Sequence, residues 1–224
     1  TFLQTRFSNG NYAIISGKVT VSGQYSQYFN NNGFYYYLYD SNSNKLVNEK
    51  KLFENNELDV HNSDYTINRV TILSFNEIDS NNFFITISVR EGAGTRVRNI
   101  LYSANFNIQG NRIGDFEYIT NKCLYGTNIY SMTKRSDDKF ACVLRCKYSP
   151  SYYDIYGIGF DSDGKMYGSL NEIFEEGNMK NEKYDYKYIL ENLQNEGFLI
   201  LTYSGIDAQS SSYKYNNPVI IKVY

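Results

Sequence analysis

Short apolar runs recur along the chain, and each begins with an aromatic residue that follows a polar turn. The runs are NGNYAIIS (9–16), SNNFFITIS (80–88), DDKFACVLR (137–145) and NEGFLILTY (195–203). Apolar runs of this length between turn residues are typical of β-strands. Their regular return predicts a structural repeat, whose leading aromatic residues are Tyr12, Phe83, Phe140 and Phe198.

A second kind of strand follows each run and ends in a turn. Its copies are FYYYLYDSNSNKL (34–46), ILYSANFNIQGNRI (100–113) and DIYGIGFDSDGKM (154–166), and PVIIKVY (218–224) is a fourth copy that stops before its turn. Asp163-Gly164 predicts a two-residue hairpin in which both central residues have positive φ. An aromatic residue precedes each turn (Tyr39, Phe106, Phe160) and a basic residue follows it (Lys45, Arg112, Lys165).

Strand patterns also flank these two. TFLQTRF, NRVTILSF, NIYSMTK and YKYILEN precede the apolar runs, and NEKKLFE, DFEYIT and LNEIFEE follow the hairpins. The sequence thus predicts a unit of four antiparallel strands, A to D, in repeats of roughly 1–54, 66–120, 127–176 and 185–224, the last without its D strand. Residues 170–193 could also be a helix, but Gly177 interrupts the period, which favours strand, loop and strand.

Burial of the B strands decides the fold class. Phe83-Phe84-Ile85 and residues 198–201 are apolar at consecutive positions, whereas a strand with one face in water alternates. Both faces of these sheets should therefore be covered. We predict one all-β domain over residues 1–224, a β-propeller of about four four-stranded antiparallel blades. A β-sandwich or two small β domains is the alternative.

The predicted loops indicate a binding face. The A-to-B and C-to-D turns are short, whereas the B-to-C connections (17–33, 90–99, 146–152, 204–217) and the D-to-A connections (55–66, 120–127, 175–185) are long. In a meander the long connections share one edge, and binding residues often lie on loops over a rigid scaffold. Tyrosine offers a rigid flat face with a polar tip. The candidate binding residues are Tyr25, Tyr28, Arg90, Arg96, Arg98, Tyr152 and Tyr213.

The stretch DIYGIGFDSDGKMYGSLNEI (154–173) resembles a repeat of large bacterial and protist surface proteins, in which an IYGQRFDxDGxxxGxEFxVN hairpin follows a Phe-Val-x-x-Trp strand. The resemblance covers residues 138–174, with Leu144 or Arg145 near the place of the tryptophan. Such repeats look like propeller blades, and the resemblance implies a cell-surface or secreted structural role without a catalytic residue. The matching residues are Ile155, Tyr156, Gly157, Phe160, Asp161, Asp163, Gly164, Gly168 and Glu172.

Composition excludes some classes of partner. The 224 residues include 24 Tyr and 14 Phe, an aromatic content that disordered chains lack. The net charge is −2 and basic residues do not cluster, so we expect no nucleic-acid partner. No apolar run approaches the ~20 residues that span a bilayer, so we expect no membrane insertion. Thr1 reads as the start of a mature or excised fragment.

The cysteines give no metal site. Cys142 and Cys146 would lie ~13 Å apart on one strand and could not bond each other. Cys123 could pair with either, although three small buried hydrophobic residues is the favoured interpretation. There is one histidine, His61, and no CxxC, so zinc is not expected.

No catalytic motif is visible. A triad would need His61, and the sequence has no GxSxG. Asp161 to Gly164 resembles the start of a calcium loop, but Lys165 and Met166 do not fit one, which favours a hairpin. The acidic loop residues Glu54, Glu57, Asp59, Glu175 and Glu176 could serve a glycosidase only if two of them lay ~5–10 Å apart across a cleft, and solvated loop charge is favoured. We predict no catalytic residue, metal or cofactor.

The leading prediction for function is a non-enzymatic module that mediates protein contacts in a cell-surface or extracellular assembly. The first alternative is a glycan-binding, lectin-like propeller, and the second is a glycoside hydrolase on the same scaffold. The expected partner is a protein or a glycan. Because the fourth unit lacks a D strand, we expect the chain to continue beyond Tyr224, or an N-terminal or partner strand to complete that sheet.

Overall fold

A computed structural model of the chain describes residues 2–21, 29–54, 57–58, 66–93, 96–121, 123, 126–134, 138–147, 153–175, 187–192, 198–203 and 219–223. In this part of the chain fifteen β-strands form four sheets. No helix among these residues is long and apolar enough to cross a membrane.

Each sheet is built from strands that are consecutive in the chain. The first contains β1 (Phe2–Arg6), β2 (Tyr12–Val21), β3 (Phe29–Tyr39) and β4 (Lys45–Phe53), and the second contains β5 (Thr66–Asp79), β6 (Asn82–Ala93), β7 (Arg96–Asn107) and β8 (Arg112–Thr120). The third contains β9 (Gly126–Lys134), β10 (Phe140–Lys147), β11 (Tyr153–Phe160) and β12 (Met166–Glu175), and the fourth contains β13 (Lys187–Asn192), β14 (Phe198–Tyr203) and β15 (Val219–Val223).

These sheets confirm the predicted fold class in that the described part of the chain is all-β and forms antiparallel sheets of up to four strands. Strand order follows chain order in every sheet, and every pairing is antiparallel. The fourth sheet has three described strands. The chain divides into two compact units, Thr1–Leu124 and Tyr125–Tyr224, and each is described by itself.

The predicted long connection at 90–99 is wrong. The strands β6 and β7 continue to Ala93 and from Arg96, and Glu91 pairs with Arg98 across the ladder. Likewise, β2 extends to Val21 and β3 begins at Phe29, within the range predicted as loop. Charged and polar residues suggested a loop here, but antiparallel pairing is made by backbone groups and tolerates polar side chains.

The core of the first unit lies between its two sheets. Phe7, Tyr36, Phe75 and Phe83 form a cluster of edge-on and stacked rings with centroids 4.9–6.4 Å apart. Burying each such side chain stabilises the fold by about 1.5–3 kcal/mol. Strand β6 is covered on both faces, because consecutive residues from Phe83 to Ile85 are fully buried, as the unbroken apolar run predicts.

The two aromatic series of the repeat are cross-strand partners. Tyr12 pairs with Tyr39 in the first sheet, Phe83 with Phe106 in the second and Phe140 with Phe160 in the third. Partners in an antiparallel ladder point to the same face. Each pair extends into a row of four across its sheet, and the rows are Arg6, Tyr12, Tyr39, Lys45 in the first sheet and Glu77, Phe83, Phe106, Arg112 in the second.

The hairpins after these rows share one hydrogen-bonded turn. The Asp161 carboxylate accepts from the backbone N–H groups of Asp163 (3.0 Å) and Lys165 (2.9 Å). Asp40 and Asn107 hold the equivalent turns in the first and second sheets. Asp161 therefore supports a turn.

The prediction of a two-residue hairpin at Asp163-Gly164 is wrong. Gly164 N–H donates to the Asp161 carbonyl (3.0 Å) and has φ +72°, whereas Asp163 is absent from the positive-φ residues described. This is a three-residue loop, a turn followed by one left-handed residue. Gly110 (φ +74°) and Ser43 (φ +67°) occupy the same position in the other two hairpins.

The three cysteines are all buried, but Cys123 and Cys146 are disulfide-bonded, so the favoured interpretation of three small buried hydrophobic residues is wrong for these two. Cys142 on β10 is a free thiol, and burial raises its pKa above the ordinary range.

Candidate functional site

A cavity of about 500 Å³ opens at the turn end of the first sheet. This volume lies within the range of small-ligand pockets, about 300–1,000 Å³. The lining residues come from β1, from the β1–β2 turn, from the start of β2 and from the β3–β4 turn. They are Gln4, Thr5, Arg6, Gly10, Tyr12 and Ser41.

Strand β1 brings three consecutive side chains to the cavity because it is the edge strand of its sheet. Gln4 and Arg6 are exposed on one face, and Thr5 is half-buried on the other. At an edge, side chains of both faces can border the same space.

The β1–β2 turn leaves room beside the strand. Phe7 N–H donates to the Asn11 carbonyl (2.8 Å), and Gly10 N–H donates to the Phe7 carbonyl (2.9 Å). Gly10 has φ +89°, which favours glycine. A Cβ placed there would meet only Ser41 Cβ, at 3.8 Å, so the cavity borders a sparsely packed backbone.

The aromatic wall of the cavity is one half of a stacked pair. The rings of Tyr12 and Tyr39 are parallel within 7°, and their centroids are 5.0 Å apart. Both side chains are half-buried, and Tyr12 lines the cavity. The Tyr12 ring is therefore in stacking contact with the Tyr39 ring. On the far side of the stack, Lys45 Nζ lies 5.9 Å from the Tyr39 centroid.

Acidic side chains near the cavity are engaged elsewhere. The Asp40 carboxylate accepts from Asn42 N–H, Asn44 N–H and Asn44 Nδ2, each at 2.8 Å. These bonds, chiefly the two from Asn44, lower the pKa of Asp40. Glu77 Oε1 accepts from the backbone N–H (2.7 Å) and the hydroxyl (2.6 Å) of Ser8. Neither carboxylate is among the lining residues, of which Arg6 is the one with a charged side chain.

This lining can bind, but it cannot hydrolyse by itself. A guanidinium, an amide and two hydroxyl groups supply hydrogen-bond donors and acceptors around an aromatic face. Glycoside hydrolysis commonly uses two carboxyl groups about 5–10 Å apart, and the six lining residues include no carboxylate. Among the described residues, no group of three or more His, Cys, Asp or Glu could hold a metal ion.

Of the binding residues predicted from sequence, the structure describes the three arginines. Tyr25, Tyr28, Tyr152 and Tyr213 lie outside the described residues, as do His61, Asp59 and Glu176. The arginines lie on strands: Arg90 on β6, Arg96 and Arg98 on β7.

The structure does not bring Arg90 and Arg98 together. Arg90 is exposed and pairs with Asn99, in the row next to that of Glu91 and Arg98. Adjacent rows point to opposite faces of a sheet. Arg98 Nε donates to the fully buried carboxylate of Glu91. This pair neutralises a buried charge, which accounts for Arg98 without a ligand.

Two of the predicted acidic residues also have basic partners. Lys51 Nζ donates to Glu54, and Arg112 Nη1 donates to Glu57 at 2.8 Å. Each carboxylate therefore belongs to its own ion pair, on the first unit's surface.

Sequence reasoning missed the cavity because it predicted binding on the long connections, whereas the cavity lies beside two tight turns. A usable signal was present in the aligned repeats. The first copy has Tyr12 and Tyr39 where the second and third have phenylalanine. Two polar-tipped rings at positions that are otherwise apolar indicate a pair that faces water.

Comparison with solved structures gives distant likenesses, which include two enzymes. No protein-family profile matches the chain, and no curated protein matches it in sequence. An endo-arabinase from Bacteroides thetaiotaomicron is similar over 99% of this chain and 73% of its own, with 12% identity and a TM-score of 0.46. An alpha-L-arabinofuranosidase from Clostridium thermocellum is similar over 98% and 72%, with 11% identity and a TM-score of 0.43.

These comparisons correct the leading functional prediction. We expected a non-enzymatic module for protein contacts, but both structural neighbours are enzymes, and the prediction is wrong on both points. It had relied on the absence of a catalytic motif in the sequence. Paired carboxylates from separate strands leave no such motif, so their absence from the sequence pattern was no guide.

Proposed function

We propose that this chain recognises carbohydrate and that the cavity at the turn end of the first sheet is a saccharide-binding site. The stacked Tyr12–Tyr39 pair supports this proposal most directly, because it presents a flat aromatic surface inside a polar cavity. The apolar face of a sugar ring packs on such a surface while its hydroxyl groups reach hydrogen-bonding partners at the rim.

The lining suits a ligand rich in hydroxyl groups. Gln4 offers an amide oxygen and two N–H donors, and Thr5 and Ser41 each offer a hydroxyl that donates and accepts. An aromatic contact contributes about 0.5–1.5 kcal/mol, and a neutral hydrogen bond a similar amount. Three or four such contacts correspond to millimolar affinity for one sugar, about 4 kcal/mol. A polysaccharide is therefore a better probe than a monosaccharide.

Carbohydrate recognition is common to the two remaining interpretations of the sequence, glycan binding and glycoside hydrolysis. Hydrolysis by this chain would need carboxylates beyond the six lining residues, with the cavity as a subsite beside them. An extracellular or cell-surface location, which the sequence resemblance implies, belongs to the same proposal.

The test is a panel of soluble polysaccharides. It includes arabinan, which the names of the two structural neighbours suggest as a probe. Binding is measured by affinity electrophoresis, and cleavage by release of reducing ends. We expect at least one polysaccharide to bind, and Tyr12→Ala to weaken it about tenfold, which corresponds to about 1.4 kcal/mol.

Tyr37→Ala is the matched control. Tyr37 is a half-buried tyrosine on the same face of the same sheet, paired with Ile14 and outside the cavity lining. The Tyr37→Ala variant should bind polysaccharide as tightly as the unmodified chain does. If Tyr12→Ala and Tyr37→Ala both lose the retarded migration to the same extent, the cavity is not the binding site. If no polysaccharide of the panel binds the unmodified chain, the proposed function is refuted.

A further inference from the structure

We infer that the saccharide in this cavity carries an oxyanion, a carboxylate or a sulfate, that Arg6 binds. This inference rests on the proposed function and adds the chemical class of the ligand. The observations behind it are the charge of the lining, the register of Arg6 with Tyr12 and the engagement of the nearby acids.

The one charged side chain among the lining residues of the cavity is a cation, Arg6. Arg6 is exposed on β1, and within the described part of the chain no carboxylate lies within ion-pair distance of it. Asp40 and Glu77 accept the bonds from Asn42, Asn44 and Ser8 described above, and neither is among the lining residues of the cavity. A neutral sugar would leave this guanidinium bound only to water, whereas an anionic sugar would pair with it.

Register places the cation beside the aromatic face. Arg6 and Tyr12 are direct partners across β1 and β2. Directly opposite residues have Cβ atoms about 4.5–5.5 Å apart and point to the same face. A sugar ring lying against Tyr12 therefore holds a substituent on its rim within reach of the guanidinium.

Arginine suits this role because its guanidinium is planar and forked. It binds a carboxylate through two parallel N–H···O bonds, and such charge-assisted bonds are about twice as strong as neutral ones. A sulfate ester offers a similar pair of oxygens. Lysine would provide the charge without the two-pronged geometry.

The same row of the sheet contains a matched cation. Lys45 is the fourth member of the row, beyond Tyr39, and its Nζ donates to Asn48 Oδ1 at 3.2 Å. Lys45 is outside the cavity lining. Its removal changes the net charge as much as removal of Arg6 does, so it separates local binding from general attraction of a polyanion.

The experiment compares three galactose-based polymers: neutral galactan, polygalacturonate with its carboxylates, and a sulfated galactan. We expect the unmodified chain to bind at least one of the two anionic polymers at least about tenfold more tightly than galactan. Arg6→Gln should remove that preference, Arg6→Lys should retain part of it, and Lys45→Gln should retain it in full. The polymer that binds more tightly identifies the oxyanion.

Three results would overturn the inference. They are equal binding of galactan and the anionic polymers, an unchanged preference in Arg6→Gln, and equal losses in Arg6→Gln and Lys45→Gln. In each case binding that still depends on Tyr12 leaves the proposed function intact. If none of the three polymers and no polysaccharide of the larger panel binds, it is the proposed function that fails.

Discussion

The first two sheets contain equivalent rows of side chains that differ in burial. In the second sheet, Phe83 and Phe106 are fully buried, with parallel rings 5.3 Å apart. In the first sheet, the equivalent Tyr12 and Tyr39 stack just as closely but remain half-buried. The second row faces the first sheet and joins its aromatic cluster, whereas the first row lies on the face away from the second sheet.

The charged residues at the ends of the two rows also differ, because those of the second row have partners within the fold. In the second row, Glu77 accepts from Ser8, and Arg112 donates to Glu57. In the first row, Arg6 has no acidic partner among the described residues and borders the cavity. One repeat position thus serves packing in one sheet and recognition in the other, and the difference depends on which face a neighbouring sheet covers.

The largest expected effect is a difference in stability between alanine substitutions at equivalent positions of the two rows. Phe106→Ala should lower the free energy of unfolding by about 3–5 kcal/mol, because it leaves a cavity in the core. Tyr39→Ala, the equivalent change in the first row, should cost about 1 kcal/mol, because water can fill the space. Urea denaturation followed by circular dichroism measures both.

Equal losses in those two variants would contradict the comparison, since they would mean that the first row is also packed as core. A change in the denaturant slope would show instead that a variant alters the unfolded state.

The turns of the two sheets allow a second pair of substitutions. Gly110→Ala should cost about 2–4 kcal/mol: φ is +74°, and the new Cβ would lie 2.9 Å from Cδ1 of the buried Tyr36. Gly10→Ala also has an unfavourable φ, +89°, but its Cβ would meet nothing nearer than 3.8 Å, so it should cost about 1–2 kcal/mol.

Thermal unfolding of the two glycine variants measures this difference. If Gly10→Ala proved as costly as Gly110→Ala, the turn beside the cavity would be as tightly packed as the one on the core, and the cavity would not be open.

The smallest effect concerns the hydrogen bond that ties the second sheet's turn to the first sheet. The Tyr36 hydroxyl donates to the Ile108 carbonyl (2.8 Å), and burial raises the pKa of Tyr36. Tyr36→Phe should cost about 1 kcal/mol near neutral pH. Above pH ~10 the unfolded tyrosine ionises while the folded one keeps its proton, so the unmodified chain loses stability and the gap closes.

Measuring the free energy of unfolding of both proteins at pH 8 and pH 11 tests this, because the remaining tyrosines are common to both and cancel. A gap that widens at high pH would mean that Tyr36 ionises more readily in the folded state.

The repeat was predictable from sequence because each strand and turn has a recognisable pattern of neighbouring residues. The apolar runs, the aromatic residue before each turn and the turn residues themselves predict strands whose cores coincide with those observed. Strand ends were not predictable where polar residues continue a ladder, as at Glu91 and Arg98. The three-residue hairpin loop after Asp161 was also not predictable, because Asp-Gly fits two turn types that differ in the φ of the residue before the glycine.

The cavity was less accessible to sequence reasoning. Gln4, Arg6 and Ser41 are ordinary polar residues of a strand and a turn, and only the register of β1 with β2 and the closeness of two turns bring them together. The substitution of tyrosine for phenylalanine in the first row was the one local sign. The predicted site at Tyr25, Tyr28, Tyr152 and Tyr213 stays a prediction.

The most direct test of saccharide binding in the cavity is an NMR titration of the isotope-labelled chain with oligosaccharides cut from whichever polymer binds. We predict backbone chemical-shift changes at Gln4 to Tyr12 and around Ser41, and none at Phe83 and Phe106 in the equivalent row. Changes centred on any other surface, with the residues from Gln4 to Tyr12 unaffected, would contradict the account.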